Sequence, residues 1–160
     1  MPSYKPSEIT LPTRCISLWQ PWASAVALGL KTIETRNWET KYRGLIAIHA
    51  ALQWSKPQQQ FFHQLRTICP TLQSLGNKPP LGAIVAVARI ADCKMSVEVF
   101  QSAGSINQAL GDYTHGRFAW LLSDITPIVP LPYKGRQGMF SLPALIAQRA
   151  VTKISDENQN

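Results

Sequence analysis

Gly82-Ala-Ile-Val-Ala-Val-Ala-Arg-Ile-Ala91 is the stretch on which the fold turns. It carries one charge, is rich in β-branched residues and follows the turn-forming run Leu75-Gly-Asn-Lys-Pro-Pro80. These features predict a strand at the centre of a sheet. Upstream, Gly44-Leu-Ile-Ala-Ile-His49 reads as a second buried strand, Thr32-Ile-Glu-Thr-Arg36 as a short β-branched one, and Cys15-Ile-Ser-Leu-Trp19 as a half-buried one by its alternation. Downstream, Arg117-Phe-Ala-Trp-Leu-Leu122 and residues 126–132 read as consecutive strands, the prolines of the second confining it to an edge. Gly138-Met-Phe-Ser-Leu142 reads as a last strand.

Helical signals fall between these strands. Pro21 stands in a first turn, Trp22, Val26 and Leu30 recur at helical spacing, and Gly29 offers a left-handed exit, which predicts a helix over residues 21–28. Ser55-Lys-Pro57 is a helix start, and Phe61, Phe62, Leu65 and Ile68 form an apolar stripe that ends at Cys69-Pro70. Residues 96–101 predict a short helix and residues 143–151 a closing one. Residues 103–116 carry three glycines and mixed signals, and read as a long loop of the kind that carries function. Five or six short strands with a few helices interspersed predict an α+β fold, a small mixed β-barrel with flanking helices rather than a doubly wound sheet. Residues 1–12 read as a flexible arm, 13–152 as one domain and 153–160 as a polar tail.

The chain has 160 residues, about one domain's length. Hydrophobic residues make up 45% and charged ones 16%, the balance of a globular chain rather than a disordered one. No apolar stretch approaches the roughly 20 residues of a membrane span, and the first residues hold no apolar core of a signal peptide. A cytoplasmic location is the expectation. Cys15, Cys69 and Cys93, like His49, His63 and His115, are scattered without metal-ligand spacing, so neither a metal nor a cofactor is expected. Sixteen Lys and Arg against nine Asp and Glu leave a net charge of +7, which attracts polyanions without specifying one.

Gly29-Leu-Lys31-Thr-Ile-Glu34-Thr-Arg36 has the form G-x-K-x-x-E-x-R. It is preceded by Ile16-Ser-Leu-Trp19-Gln20-Pro21-Trp22-Ala and followed by Tyr42-Arg43-Gly44, Ile46-Ala-Ile-His49-Ala and the strand beginning at Leu81. Gly111-Asp112-Tyr113, Gly116-Arg117-Phe118-Ala-Trp120 and Gly135-Arg136-Gln137-Gly138 come near the end. In this order, across about residues 14–143, the blocks resemble the ASCH (activating signal cointegrator homology) domain family. The resemblance implies a PUA-like barrel, related to domains that bind RNA and modified nucleotides, with Lys31, Glu34 and Arg36 lining a cleft beside it. It also implies a link to nucleic-acid binding or transcription coactivation and, in some small relatives, to hydrolysis of a modified nucleoside or of RNA.

The residues point the same way. Glu34 and Arg36, two apart on a strand, project to one face, with Lys31 at the strand's mouth. A carboxylate between two cations suits a ligand with acceptor edges and phosphate, and the carboxylate can accept from an exocyclic amine. The competing reading is a structural ion pair on the barrel rim. Trp19, Trp38 and Tyr42, interleaved with Lys31, Arg36, Lys41 and Arg43, offer surfaces on which a base would stack, and Gln20 adjoins them. Trp22 is expected in the core, and His49 as a hydrogen-bonded core residue. Asp112, Tyr113 and Arg117 are candidate wall residues, and Lys134, Arg136 and Gln137 form a glycine-rich basic turn whose backbone can approach phosphate.

In the hydrolytic relatives the motif lysine is paired with a threonine three residues later and a separate glutamate. Here Glu34 occupies that place, and Thr32 and Thr35 are expected to point away from its face. The preferred expectation is therefore a non-catalytic module for RNA or a nucleotide-like ligand, with DNA as the other polymer of that chemistry. The alternative is a hydrolase on RNA or a modified nucleoside, with Lys31 and Glu34 as its acid–base pair. A protein-interaction domain is the third reading, and no segment of the sequence marks the partner.

Overall fold

The computed structural model describes residues 8–143 and 150–151. In chain order these form β1 (Glu8–Ile9), β2 (Arg14–Leu18), α1 (Trp22–Ala27), β3 (Ile33–Arg36), β4 (Gly44–Ala50) and α2 (Lys56–Ile68). After a 3-10 turn come β5 (Ala83–Met95), α3 (Ser96–Val99), α4 (Ser105–Ala109), β6 (Phe118–Pro132), β7 (Met139–Ser141) and β8 (Ala150–Val151).

Six strands make one mixed sheet in the order β3-β6-β5-β4-β2-β7, in which β2 and β4 run parallel and the remaining neighbours antiparallel. The sheet curls into a half-barrel. Arg36, on the first strand of that order, reaches the carbonyl of Ser17 on the fifth, its Nη2 donating at 2.9 Å. Residues of β2 and β4 therefore bury alternately on two sides. Ile16, Leu18, Ile46 and Ile48 join Ala23 and Val26 of α1 and Trp120 of β6 in one core, while Cys15 and Ala47 join Ile84, Ile128 and Phe140 in another. A third cluster seats α2 through Phe62 and Leu65 against Ala25 and Leu110. Each fully buried Ile, Leu or Phe adds about 1.5–3 kcal/mol to the driving force for this arrangement.

The helix over residues 21–28 forms as α1 and leaves through Gly29 at φ +74°. The Ser55 start is a full capping box: its hydroxyl accepts from the Gln58 N–H while the Gln58 side chain accepts from the Ser55 N–H. Ile68, the last member of the predicted apolar stripe, stands 75% exposed, because α2 ends there before Pro70.

Several elements differ from the sequence reading. β5 continues four residues past Ala91, because its pairing with β6 runs on to Met95 opposite Phe118. The two strands predicted after Arg117 are one, β6, bent where Asp124 adopts φ +49°. Its pairing with β3 covers only Phe118–Leu121, so Pro127, Pro130 and Pro132 lie in the half that pairs with β5 alone, where a missing donor is tolerated. Of the predicted arm, residues 1–7 lie outside the described residues; Glu8–Ile9 pairs with Ala150–Val151, and Leu11 is buried. Most of the predicted closing helix (residues 144–149) and the polar tail (153–160) lie outside them too.

The stretch expected to be one long loop holds α4, and this helix shapes the site. Asn107 on α4 accepts from the backbone N–H groups of Thr32 and Ile33 at 2.9 and 3.1 Å, and its amide donates to Thr32 Oγ1 and to the Ala103 carbonyl. It thus satisfies the edge of β3, on which no further strand adds among the described residues. Truncating it leaves the buried Ile33 N–H and the half-buried Thr32 N–H unpaired, at about 1–3 kcal/mol for the first and about 1 for the second. Asn107→Ala is accordingly expected to lower stability by about 2–4 kcal/mol in denaturant titration. An unchanged midpoint would show that β3 does not depend on α4.

Candidate functional site

The C-terminal end of β2, the start of α1, the edge strand β3 and the chain leaving α4 enclose a cleft of ≈ 590 Å³. Ser17, Leu18 and Trp19 line one side, Glu34, Thr35 and Arg36 another, and Leu110, Gly111, Asp112 and Arg117 face them. Trp19 is 54% exposed, an indole held at the rim rather than in the core.

Lys31 lies behind this wall with no exposed surface. Its Nζ donates to the carbonyls of Ile33 and Leu110 and stands 3.4 Å from Glu34 Oε2. Two ammonium protons are therefore taken by carbonyls, and the Glu34 contact is an ion pair. Burial pushes the Lys31 pKa below its ordinary value, and the Glu34 carboxylate opposes that shift. The other Glu34 oxygen lies 3.1 Å from Arg36 Nε, off the axis of an aligned hydrogen bond, so this contact is an ion pair. Arg36 also sits over the Trp120 ring at 5.9 Å. On the facing side, Arg117 Nε pairs with Asp112 Oδ2 at 3.3 Å and its Nη2 donates to the Thr35 carbonyl at 3.3 Å. Hydrogen bonds from Thr114 hold the Asp112 carboxyl below its ordinary pKa. Burial, reinforced by Glu34, pushes Tyr113 up to about 12, so its phenol stays protonated and the cleft carries no phenolate.

Of the residues singled out in the sequence, Trp19, Glu34, Arg36, Asp112 and Arg117 line the cleft. Lys31 and Tyr113 support it from behind: Tyr113 packs on Phe100, and a side chain at Gly111 would meet its ring at 2.7 Å. The others lie elsewhere. Gln20 is fully buried and accepts from the Ser24 N–H while donating to Ser24 Oγ and the Pro80 carbonyl, which ties down the start of α1. Trp38 packs edge-on to Trp120 at 4.6 Å. Tyr42 donates to the Leu45 carbonyl under the Arg14 guanidinium, Arg43 pairs with Asp92 at 3.2 Å, and Arg136 is exposed on its turn.

Sequence reasoning missed Ser17, Thr35 and the Leu110–Gly111 wall, and set Trp22 in the core. Trp22 stacks one face on Phe61 at 5.2 Å and still lines the cleft. Thr35 does point away from Glu34, its Oγ1 accepting from the Asp112 N–H at 2.9 Å, yet the cleft reaches it because β3 is an edge and the wall wraps over it. The alternation of β2, which sets Ser17 between buried Ile16 and Leu18, was the one signal available for that residue.

His49 is 2% exposed and meets the site from below. Its Nε2 lies 2.7 Å from the Tyr133 carbonyl, which can only accept, so that nitrogen carries the proton and Nδ1 accepts from Ser17 Oγ at 2.9 Å. Among the described residues no group of three or more His, Cys, Asp or Glu is placed to hold a metal, and no helix is long and apolar enough to cross a membrane.

The ASCH domain model matches residues 16–131, from within β2 to the next-to-last residue of β6, and includes every cleft residue named above. The chain belongs to the ASCH domain family. This ASCH domain is 26% identical over 150 residues to human activating signal cointegrator 1 and 25% identical to the mouse protein, matches that cover 91% of the chain and 25% of each relative. The chain thus spans about a quarter of the length of those relatives. The ASCH protein of Zymomonas mobilis superposes with a TM-score of 0.54 at 21% identity over 84% of this chain and 90% of that one. A mutant form of the Zymomonas protein, carrying phenylalanine in place of a tyrosine, superposes with 0.55 at 20% identity over 84% and 93%. At such identities the likeness establishes the fold, a PUA-like α+β half-barrel.

Two measurements test the geometry of this ASCH site. Lys31→Met removes a buried cation, leaves two carbonyls unpaired and leaves the Glu34 carboxylate to Arg36 alone, so a loss of about 3–5 kcal/mol is expected in denaturant titration; a loss below about 1 kcal/mol, the range of an exposed pair, would contradict the buried geometry. Burial holds the His49 pKa below 6.5, against a weaker raising effect of its Tyr133 bond. Below pH 6.5 the unfolded chain then takes up a proton that folded His49 refuses, so stability falls as pH drops and levels off once the folded pKa is passed. Denaturation midpoints from about pH 7.5 to about pH 5.5 are expected to fall in the wild type and to flatten in His49→Gln.

Proposed function

We propose that this ASCH domain is a non-catalytic module that binds RNA or a nucleotide-like ligand in the cleft between β2 and β3. The observation that carries the reading is the Glu34 carboxylate, fixed between Lys31 and Arg36 in the cleft wall with the exposed Trp19 indole at its rim. A fixed carboxylate accepts hydrogen bonds from an exocyclic amine or a ribose hydroxyl. An indole at the mouth offers a stacking face, and the Arg36 and Arg117 guanidinium groups lie within reach of a sugar or a phosphodiester. Membership of a family broadly associated with RNA supports the same reading.

The geometry of the motif disfavours Lys31 and Glu34 as an acid–base pair. Such a pair needs an ammonium that can reach a substrate, and Lys31 has no exposed surface and is hydrogen-bonded to the Ile33 and Leu110 carbonyls behind the cleft wall. The motif's two threonine hydroxyls each accept from the protein, Thr32 from the Asn107 amide and Thr35 from the Asp112 N–H. Lys31 therefore acts through Glu34, as a positioning residue.

The test is a tryptophan-fluorescence titration with nucleosides and with short single-stranded RNA. Trp19→Ala is expected to weaken binding by about 1–3 kcal/mol, the cost of one lost stacking contact. Arg36→Ala, which also releases the Ser17 carbonyl and one side of Glu34, is expected to weaken it at least tenfold with the fold intact by circular dichroism. Affinity unmoved by either substitution would remove the cleft as the binding site. Turnover of RNA or an acylated nucleoside that is abolished in Glu34→Gln would replace binding with catalysis.

A further inference from the structure

The charges within the cleft nearly cancel. Lys31, Arg36 and Arg117 are set against Glu34 and Asp112, each carboxylate already in contact with a cation, which leaves one net positive charge. Lys31 is spent on protein carbonyls, and Asp112 stands 53% exposed at the same wall as Arg117. Such a site can balance about one negative charge, so it suits a ligand that is neutral or singly charged and leaves most of the charge of a ligand with three or four unmatched. A nucleobase with its ribose meets that condition; a nucleoside triphosphate does not.

Phosphate recognition has a natural place beside the cleft. β7 pairs antiparallel with β2, Met139 opposite Ile16, so the chain just before Met139 runs alongside the cleft residues Ser17 to Trp19. That chain is the turn of residues 133–138, on which Lys134, Arg136 and Gln137 are exposed. The turn is pinned from beneath. The Tyr133 carbonyl accepts from His49 and its N–H donates to the Gly82 carbonyl at 3.0 Å. Gly135 lies so close to the Ser17–His49 pair that a Cβ there would collide with the imidazole and stand 2.6 Å from Ser17 Oγ. His49, unused by the cleft itself, thereby holds the backbone that carries Lys134 and Arg136 beside the cleft residue Ser17.

We infer that the cleft takes one base of a single-stranded polynucleotide while Lys134 and Arg136, on the turn beside it, hold the phosphodiesters that flank that base. The inference rests on the cleft reading of the preceding section and adds to it the class of ligand, a polymer of singly charged phosphodiesters rather than a free nucleotide. Lys134 supplies a point charge and Arg136 a planar fork, neither of which reads sequence at phosphate.

The experiment measures equilibrium binding of the full chain to a nucleoside, a nucleoside triphosphate, a short single-stranded RNA of mixed sequence, the matching DNA, and a glutamate-rich peptide of equal charge. Wild type is compared with Lys134→Ala/Arg136→Ala and with Trp19→Ala over a range of salt. A strand of RNA or DNA is expected to bind more tightly than the triphosphate or the peptide. The double variant is expected to weaken strand binding and to lower the slope of log affinity against log salt by about 1.4, two contacts at about 0.7 each, while nucleoside binding holds. Trp19→Ala is expected to weaken strand and nucleoside alike. A strand slope unmoved by the double variant, with Trp19→Ala still damaging, overturns this inference and leaves the cleft reading standing. Binding unmoved by Trp19→Ala overturns both. A triphosphate or an acidic peptide that binds as tightly as the strand overturns the polynucleotide assignment.

Discussion

A lysine ammonium with no exposed surface is an expensive thing to fold around. Moving such an ion out of water costs several kcal/mol even after relaxation, and the cost is recovered only where every proton finds an acceptor. For Lys31 the compensation is two carbonyl hydrogen bonds and an ion pair with one carboxylate. Those acceptors come from three places: the first residue of β3, the residue that ends α4, and Glu34 in the cleft wall. The ammonium can be satisfied only when β3 and the end of α4 are both in position, so the cleft and the domain form together. The carboxylate that faces the cleft is fixed by the same requirement.

The second consequence concerns an edge. β3 ends the sheet, and an edge strand with free N–H groups invites further pairing. Here α4 covers it: one asparagine takes up the N–H groups of Thr32 and Ile33, and the Thr35 hydroxyl takes up that of Asp112. The cleft is the space left where this cover departs from the strand. Because the cover is a short helix and its exit rather than another strand, side chains from both faces of β3 reach the same cavity, Glu34 and Arg36 from one and Thr35 from the other.

These two devices explain what was legible beforehand. The run from Gly82 to Ala91 announced β5, since a buried strand must be apolar along its length, and Ser55 with Pro57 announced α2, since capping is local chemistry. The motif from Gly29 to Arg36 announced Glu34 and Arg36 because strand alternation puts them on one face. What the alternation hides is the environment. Nothing within eight residues shows that Lys31 finds its acceptor 79 positions later at Leu110, or that Gln20, next to the rim residue Trp19, turns inward to fix α1. α4 escaped for a related reason. Its five residues follow a glycine and carry no apolar period, and it is held by Asn107, a residue with little helix preference, through tertiary contacts alone. Trp38 and Tyr42 carried the composition of a stacking surface, but burial against Trp120 and under Arg14 is decided by β6 and β2.

The placement of charge follows the same logic. A net charge of +7 says that cations outnumber acids, not where they act. Inside the cleft wall, cations are matched almost one for one by carboxylates, as they must be where water is scarce and an unmatched charge is costly. On the outer surface, Arg43, Lys94 and Arg89 stand near Asp92 and Asp124, where solvent leaves such pairs little energy. A polyanion gains most from cations that are exposed, fixed and close to a neutral pocket, because these add attraction without charging the pocket itself. The Lys134–Arg136 turn comes near that arrangement: its cations are exposed, the pocket beside it carries one net charge, and its backbone is held by a histidine that the strand pattern of β4 marked only as a polar residue in an apolar run.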